Sequence, residues 1–343
     1  MKKILIIRFS ALGDVAMTIP ITYSYARQNP DVEIVFLSKP SLTKLFFNAP
    51  KNFRLITIDA QGRHKGFFGL FRLFLELKKE KFDAVIDLHS VLRSHFLSRL
   101  FRLIGVKTAT VHKGRAEKER LTHKHDKHFH QLATSFDRYL KTFHDAGIDF
   151  KPDFESIFED GKGDLTLLAD FLPEKRGKWI GIAPFAKHKG KIYPLEKMEE
   201  VVGKLSKESV KIFLFGGGES EKVILEKWAA TYPNTICTIG KINMEKELHL
   251  MSHLDGMITM DSGNMHMASL VNCPVISIWG ATHPYAGFYG WQQAKENAVQ
   301  LDLSCRPCSV FGDKPCHRGD YACLNQITPD AIVAQVKRLF LKK

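Results

Sequence analysis

Lys3-Ile4-Leu5-Ile6-Ile7, running on into Arg8-Phe9-Ser10-Ala11-Leu12-Gly13-Asp14, decides the fold class. A short, continuously apolar run closed by a small-residue turn is the pattern of a parallel strand covered on both faces. Lys178-Trp179-Ile180-Gly181-Ile182-Ala183, closed by Pro184-Phe185, repeats it. Glu33 to Leu37 and Ala84 to Leu88 continue the series in the first half. Val210 to Phe215, Gly256 to Met260 and Pro274 to Trp279 continue it in the second. Helical patterns fall between these runs, among them Leu195 to Leu205 and Glu219 to Ala230. Alternating strand and helix imply two doubly wound α/β domains in tandem. Polar, turn-rich stretches at Asp160-Gly161-Lys162-Gly163-Asp164 and Pro173-Glu174-Lys175-Arg176-Gly177 mark the boundary. The expected division is 1–160, 175–327 and a last helical segment, 328–343, able to pack on either domain.

The bulk numbers agree. A chain of 343 residues suits two such domains, and 44% hydrophobic with 25% charged residues excludes a disordered or fibrous protein. No apolar run reaches the roughly 18 residues that cross a bilayer. Only Ile4 to Ile7 are apolar before Arg8, and Asp14 follows, so the core of a secretory signal is missing and a cytoplasmic protein is expected. A net charge of +13 draws anionic partners: nucleic acid, lipid head groups or phosphorylated substrates. Phe67, Leu70, Phe71, Phe74 and Leu77 fall at helical spacing, which predicts a helix with that face against the sheet. Phe68 and Leu75 lie on its other side and leave a shallow membrane contact open.

Ligands of open α/β sheets bind beyond the carboxyl ends of the strands, so the turns there hold the candidate chemistry. Ser10-Ala11-Leu12-Gly13-Asp14 is the first. Asp14 begins a helix expected to run through Pro20, either as a plain N-cap or as a carboxylate able to take a proton from an attacking hydroxyl. Asp261-Ser262-Gly263-Asn264-Met265-His266 is the second. Small residues at a strand-to-helix turn let backbone N–H groups and the helix dipole meet a phosphate. Asp261 suits sugar hydroxyls, and His266 lies one turn into the helix; a simple capping turn is the alternative. Lys191, in a basic loop before Pro194, suits a diphosphate leaving group. Gly216-Gly217-Gly218-Glu219 is a tight turn or a close approach for ligand, with Glu219 suited to ribose hydroxyls. No Gly-x-Gly-x-x-Gly dinucleotide fingerprint is present.

Ser-Ala-Leu-Gly-Asp, Lys-x-Tyr-Pro at Lys191 and Asp-Ser-Gly-x-x-His at Asp261, in that order and spacing, resemble the bacterial lipopolysaccharide heptosyltransferases of glycosyltransferase family 9. The resemblance implies the GT-B fold, two Rossmann-like doubly wound domains facing across a cleft, the first binding acceptor and the second the nucleotide sugar. It implies inverting transfer from ADP-L-glycero-D-manno-heptose to the lipopolysaccharide inner core, without metal or cofactor. By the same resemblance Asp14 is the general base, and Lys191 with the Ser262–Gly263 turn holds the diphosphate. Asp261 and His266 touch the sugar, Gly218 and Glu219 lie at the ribose, and Ile242 meets the adenine. Ser10, Gly13, Arg93 and Arg120 are expected on the acceptor side, with Arg63 and Arg115 as further candidates.

The segment from Lys107 to Gln131 holds seven Lys and Arg, five His and three acids, either a solvated loop or a grip on an anionic lipid-A-type acceptor. Peripheral contact with the inner face of the inner membrane follows as an expectation. Cys305-x2-Cys308-x7-Cys316-x6-Cys323 reads either as a structural zinc site or as reduced thiols pinning a loop. Another nucleotide sugar or surface-glycan acceptor is the alternative within the class. A basic nucleic-acid-binding protein is the alternative outside it, although no module interleaving aromatic and basic residues is visible.

Overall fold

The computed structural model describes residues 1–159, 161–172 and 174–341. Asp160 and Pro173, in the expected boundary, and Lys342 and Lys343, at the end of the expected last helix, lie outside the described residues. The chain divides into two compact units, Met1–Gly114 with Ala133–Ile157, and Arg115–Leu132 with Phe158–Lys343.

The first unit is one parallel sheet of β1 (Lys3–Ile7), β2 (Glu33–Ser38), β3 (Phe53–Thr57), β4 (Ala84–Asp87) and β5 (Lys107–Thr110), in the order β3-β2-β1-β4-β5. Register pairs Ile4 with Ile34 on one side of β1 and with Ala84 on the other. Its helices are α1 (Leu12–Ala16), α2 (Ile19–Gln28), α3 (Gly66–Lys78), α4 (Leu92–Leu103) and, past α5 (Arg115–Leu121), α6 (Ser135–Asp145); α5 belongs to the second unit. The second unit has β6 (Lys178–Ala183), β7 (Val210–Leu214), β8 (Thr235–Cys237), β9 (Gly256–Met260), β10 (Val275–Ile278) and β11 (Ala298–Val299), parallel in the order β11-β10-β9-β6-β7-β8. Helices α7 (Leu195–Leu205), α8 (Glu219–Thr231), α9 (Met244–Ser252), α10 (Gly263–Leu270), α11 (Ala322–Asn325) and α12 (Pro329–Val336) follow.

Both orders are doubly wound. The winding reverses between β1 and β4 in one sheet and between β6 and β9 in the other. Loops leaving such neighbours in opposite directions open a crevice at the carboxyl edge. Strands on either side of each reversal are buried except at Lys3 and Lys178, the first residues of β1 and β6, which is why they read as continuous apolar runs.

Two local expectations are corrected, and one alternative left open is decided. The helix from Asp14 does not run through Pro20: α1 ends at Ala16, and Pro20 sits in the first turn of α2, where its missing N–H costs nothing. In α3 the buried stripe is Leu70, Leu73, Phe74 and Leu77, whereas Phe67 and Phe71 are 63% and 41% exposed. Those two rings lie on the flank of the i, i+3, i+4, i+7 stripe that meets the sheet. The last helix turns from α-helical to π-helical geometry at Lys337–Leu341. It packs on α7 within the second unit, burying Ile332, Val336 and Phe340 in that unit's core.

Phe340 closes over the start of β9. A Cβ added to Gly256 would stand 2.1 Å from its ring, too close without displacing a packed aromatic side chain. Gly256→Ala should lower the unfolding free energy by about 1–3 kcal/mol, read as a lower urea midpoint. Gly217→Ala, whose Cβ meets nothing within 4 Å, should leave the midpoint unchanged; equal effects would refute the packing argument.

Candidate active site

In the second unit, the loop after β6 and the turn after β9 meet at the point of reversal. Lys191 ends a short 3-10 turn, Lys189–Lys191. The turn is pinned because Gly190 donates to the Gly312 carbonyl at 3.2 Å and accepts from the Ala281 N–H at 2.8 Å. A Cβ at Gly190 would clash with both neighbours. The lysine stem packs on Gly312, and its Nζ lies 2.8 Å from Asp261 Oδ2. Both side chains are largely withdrawn from water, at 15% and 4% exposure, so the attraction is weakly screened. Thr282, just past β10, donates its hydroxyl to the same carboxylate oxygen at 2.9 Å.

Ser262 is the N-cap of α10, yet its side chain makes no capping bond; its hydroxyl instead lies 3.3 Å from that of Thr259. The first N–H groups of α10 are therefore not claimed by the cap and point past Gly263, where an anion would receive them. His266 is buried in the second turn of α10. Gly218, at φ +89°, is the N-cap of α8 and likewise offers no side-chain cap. Glu219 starts that helix with its carboxylate exposed, while Glu221 ties the turn by accepting from Gly217 N–H at 2.7 Å. Ile242 is half-buried in the turn before α9.

The first unit gathers a different set at its own reversal. Asp14 is not the N-cap, which is Ala11; it stands at the third helical position and accepts the Ala11 N–H at 3.2 Å. The same Oδ2 lies 2.8 Å from the buried Arg8 guanidinium. Capping and a charged, positioned carboxylate thus coexist in one side chain. At the end of β4, Asp87 accepts from the N–H groups of His89 and Ser90. The His89 ring takes the Phe9 N–H at 3.3 Å and approaches the Ser10 hydroxyl at 3.5 Å. Burial, reinforced by Arg8 and Lys113, pushes His89 down to about 3, so it is neutral beside Asp14. Gly13 lies within α1, and Arg93 is exposed in the first turn of α4.

The expected acceptor residues do not all fall in one unit: Ser10, Gly13 and Arg93 are in the first, Arg120 in the second. Arg120 lies on α5, in an excursion whose Leu121 and Leu132 pack with Ala286. Arg63 is engaged with Glu76. All six cysteines are free thiols. Among the described residues no three His, Cys, Asp or Glu side chains converge as metal ligands, so the Cys305–Cys323 segment is not drawn together into a zinc site here. Burial raises the Cys323 thiol to about 11.

Two functional-looking residues escaped sequence reading. Thr282 sits in Gly280-Ala281-Thr282-His283, a third small-residue turn at a strand end and therefore a readable signal. Arg8 belongs to the opening strand-turn itself. A third feature is a groove of about 490 Å³ walled by Phe129, His283, Tyr285, Asp302 and Gln300 above the buried Arg306; burial and Arg306 push His283 down to about 4.

Two doubly wound parallel α/β units, each gathering polar side chains at the carboxyl edge of its sheet, are the architecture of the GT-B glycosyltransferases. Residues 70–317 match the sequence profile of glycosyltransferase family 9 (heptosyltransferase). The chain belongs to that family and is a glycosyltransferase. It is 26% identical to lipopolysaccharide heptosyltransferase 1 of Campylobacter coli, over 98% of this chain and 99% of the relative. The glycosyl transferase family 9 structure from Veillonella parvula superposes at TM-score 0.76 and 19% identity, covering 100% and 98% of the two chains. E. coli heptosyltransferase WaaC with ADP-2-deoxy-2-fluoro heptose does so at 0.68 and 17%, covering 98% and 99%.

Buried neutral His89 and His283 carry a pH signature. The unfolded chain binds protons on both near their ordinary pKa of about 6.5, while the folded rings resist down to about 3 and about 4. Stability is therefore full above about pH 6.5 and falls as acid is added. Between about pH 7.5 and about pH 5, His89→Gln should lose less unfolding free energy than the parent protein. Identical losses in urea titrations would contradict a buried neutral imidazole.

Proposed function

We propose that this protein is an inverting, metal-independent heptosyltransferase that moves heptose from ADP-L-glycero-D-manno-heptose to the lipopolysaccharide inner core, a lipid A–Kdo type acceptor. The observation that carries the donor half is Lys191 Nζ, held 2.8 Å from Asp261 beside the uncapped start of α10. A lysine parked on a carboxylate keeps its charge in place until a more highly charged diphosphate arrives. The N–H groups after Ser262 and Gly263 complete the cradle. Asp261 and His266 then face the transferred sugar, Gly218 and Glu219 the ribose, and Ile242 the adenine. That the E. coli relative carries an ADP-heptose analogue supports adenine over other bases.

The acceptor half is assigned to Ser10, Gly13, Arg93 and Arg120. Asp14 takes the proton of the acceptor hydroxyl as its oxygen attacks the anomeric carbon. The bond from that carbon to the diphosphate oxygen breaks, its electron pair leaves with ADP, and configuration inverts in a single displacement. Arg8 holds the carboxylate in place. Lys191 and the α10 dipole stabilise the departing ADP. The sequence has no Asp-x-Asp pair of the kind that holds a nucleotide-bound metal. A lipid-borne acceptor would bring the enzyme, peripherally, to the cytoplasmic face of the inner membrane.

Calorimetric titration with ADP, GDP and UDP should give binding for ADP alone, weakened about tenfold or more in Lys191→Ala. Asp14→Asn should keep ADP affinity and lose about 10²–10⁴ in kcat. Preference for UDP or GDP would replace the heptose assignment with another sugar, and an active Asp14→Asn would remove the base. Turnover should also persist in excess EDTA; loss restored by magnesium would overturn metal independence.

A further inference from the structure

The first unit exposes an apolar ridge that its core does not need. Phe67, Phe68 and Leu92 are 63%, 86% and 90% exposed, and Phe71 and Leu75 are half-open beside them. These side chains are continuous. The Phe67 ring lies 4.9 Å from that of Phe96 and 5.7 Å from that of Phe68. Phe96 is one helical turn from Leu92, and Phe71 and Leu75 follow Phe67 at i+4 and i+8. Leaving one such ring in water is ordinary, but a contiguous ridge of them on two adjacent helices marks a surface that is covered in use.

Its charge says by what. α4 contains no acidic residue and presents Arg93, Arg99 and Arg102, while α3 presents Arg72 and Lys78, with Lys79 at its C-cap. The two carboxylates nearby are already engaged: Glu76 with Arg63 and His64, Glu80 with Lys3 and Arg54. An apolar ridge flanked only by uncompensated cations fits neither a neutral protein groove nor a nucleic acid, which offers no apolar depth. It fits an anionic lipid surface, where aromatic rings sink to the acyl boundary and basic side chains meet head-group phosphates. Among the described residues no helix is long and apolar enough to cross a membrane, so the contact is in the plane of the interface.

Topology orients it. In a parallel sheet each helix returns the chain from the carboxyl edge, so α3 and α4 both begin at the edge where β1 delivers Asp14. Phe67, Phe68 and Leu92 stand at those helix starts. We infer that this ridge docks the protein onto an anionic phospholipid bilayer, with the Asp14 edge of the first unit turned toward the head groups. The inference stands on the first unit alone and holds whatever nucleotide the second unit selects.

Co-sedimentation with vesicles of phosphatidylglycerol and phosphatidylcholine, against phosphatidylcholine alone, tests it. The full-length protein should bind the anionic vesicles and not the zwitterionic ones. The triple variant Phe67→Ser, Phe68→Ser, Leu92→Ser should bind them about tenfold or more weakly. Arg72→Glu with Lys79→Glu should weaken binding most at low salt. Neither variant touches the proposed donor residues, so unchanged thermal unfolding, read by circular dichroism, certifies folding without reference to any substrate. Equal binding by parent and triple variant, equal binding to both vesicle types, or no binding by the parent protein would each overturn the inference.

Discussion

The ion pair between Lys191 and Asp261 exists because β6 and β9 are neighbours in space though some eighty residues apart in sequence. Reversal of the winding at that point sends one loop each way and leaves their first residues facing. A few contacts in the second unit hold those two side chains still. Gly190 and Gly312 lock the lysine loop from below, Thr282 steadies the carboxylate from the next strand, and Phe340 presses on the start of β9. A buried ion pair returns little net stability for the desolvation it costs.

The first unit solves a related problem with other means. Arg8, at the end of the first strand, is buried and spans from Asp14 to the backbone around Leu88. The neutral His89 ring fills the adjoining space without adding a competing positive charge. The carboxylate of Asp14 is therefore oriented from one side by a fixed cation and from the other by the turn that it caps.

The central strands of both sheets were legible in the sequence, and the four that were not read are β3, β5, β8 and β11. Those are the four sheet edges. An edge strand is covered on fewer sides, so β3 carries Arg54, β5 reads Lys-Thr-Ala-Thr, and β8 and β11 shrink to three and two residues. The apolar signal fades where burial does. Asp14, Lys191, Asp261 and His266 could be singled out because each follows a buried strand or a marked turn. Thr282 was passed over although its Gly280-Ala281 turn at a strand end was readable, because only the fold shows the carboxylate that it meets. Arg120 was read by its place in a basic run, and charge alone carries no information on which unit a segment will join.

Arg306 deserves to be read as a rivet. Its guanidinium is buried, and its N–H groups are spent on the carbonyls of Gly280, Thr282 and Leu301 and on the Gln300 amide. It thereby fastens the cysteine-bearing loop to the backbone segment that supplies Thr282, and Thr282 fastens to Asp261. A chemical change in that loop, such as oxidation at Cys305 or Cys308, has a mechanical route of two links to the Asp261 carboxylate. Drift in the loop that leaves Arg306 seated has none.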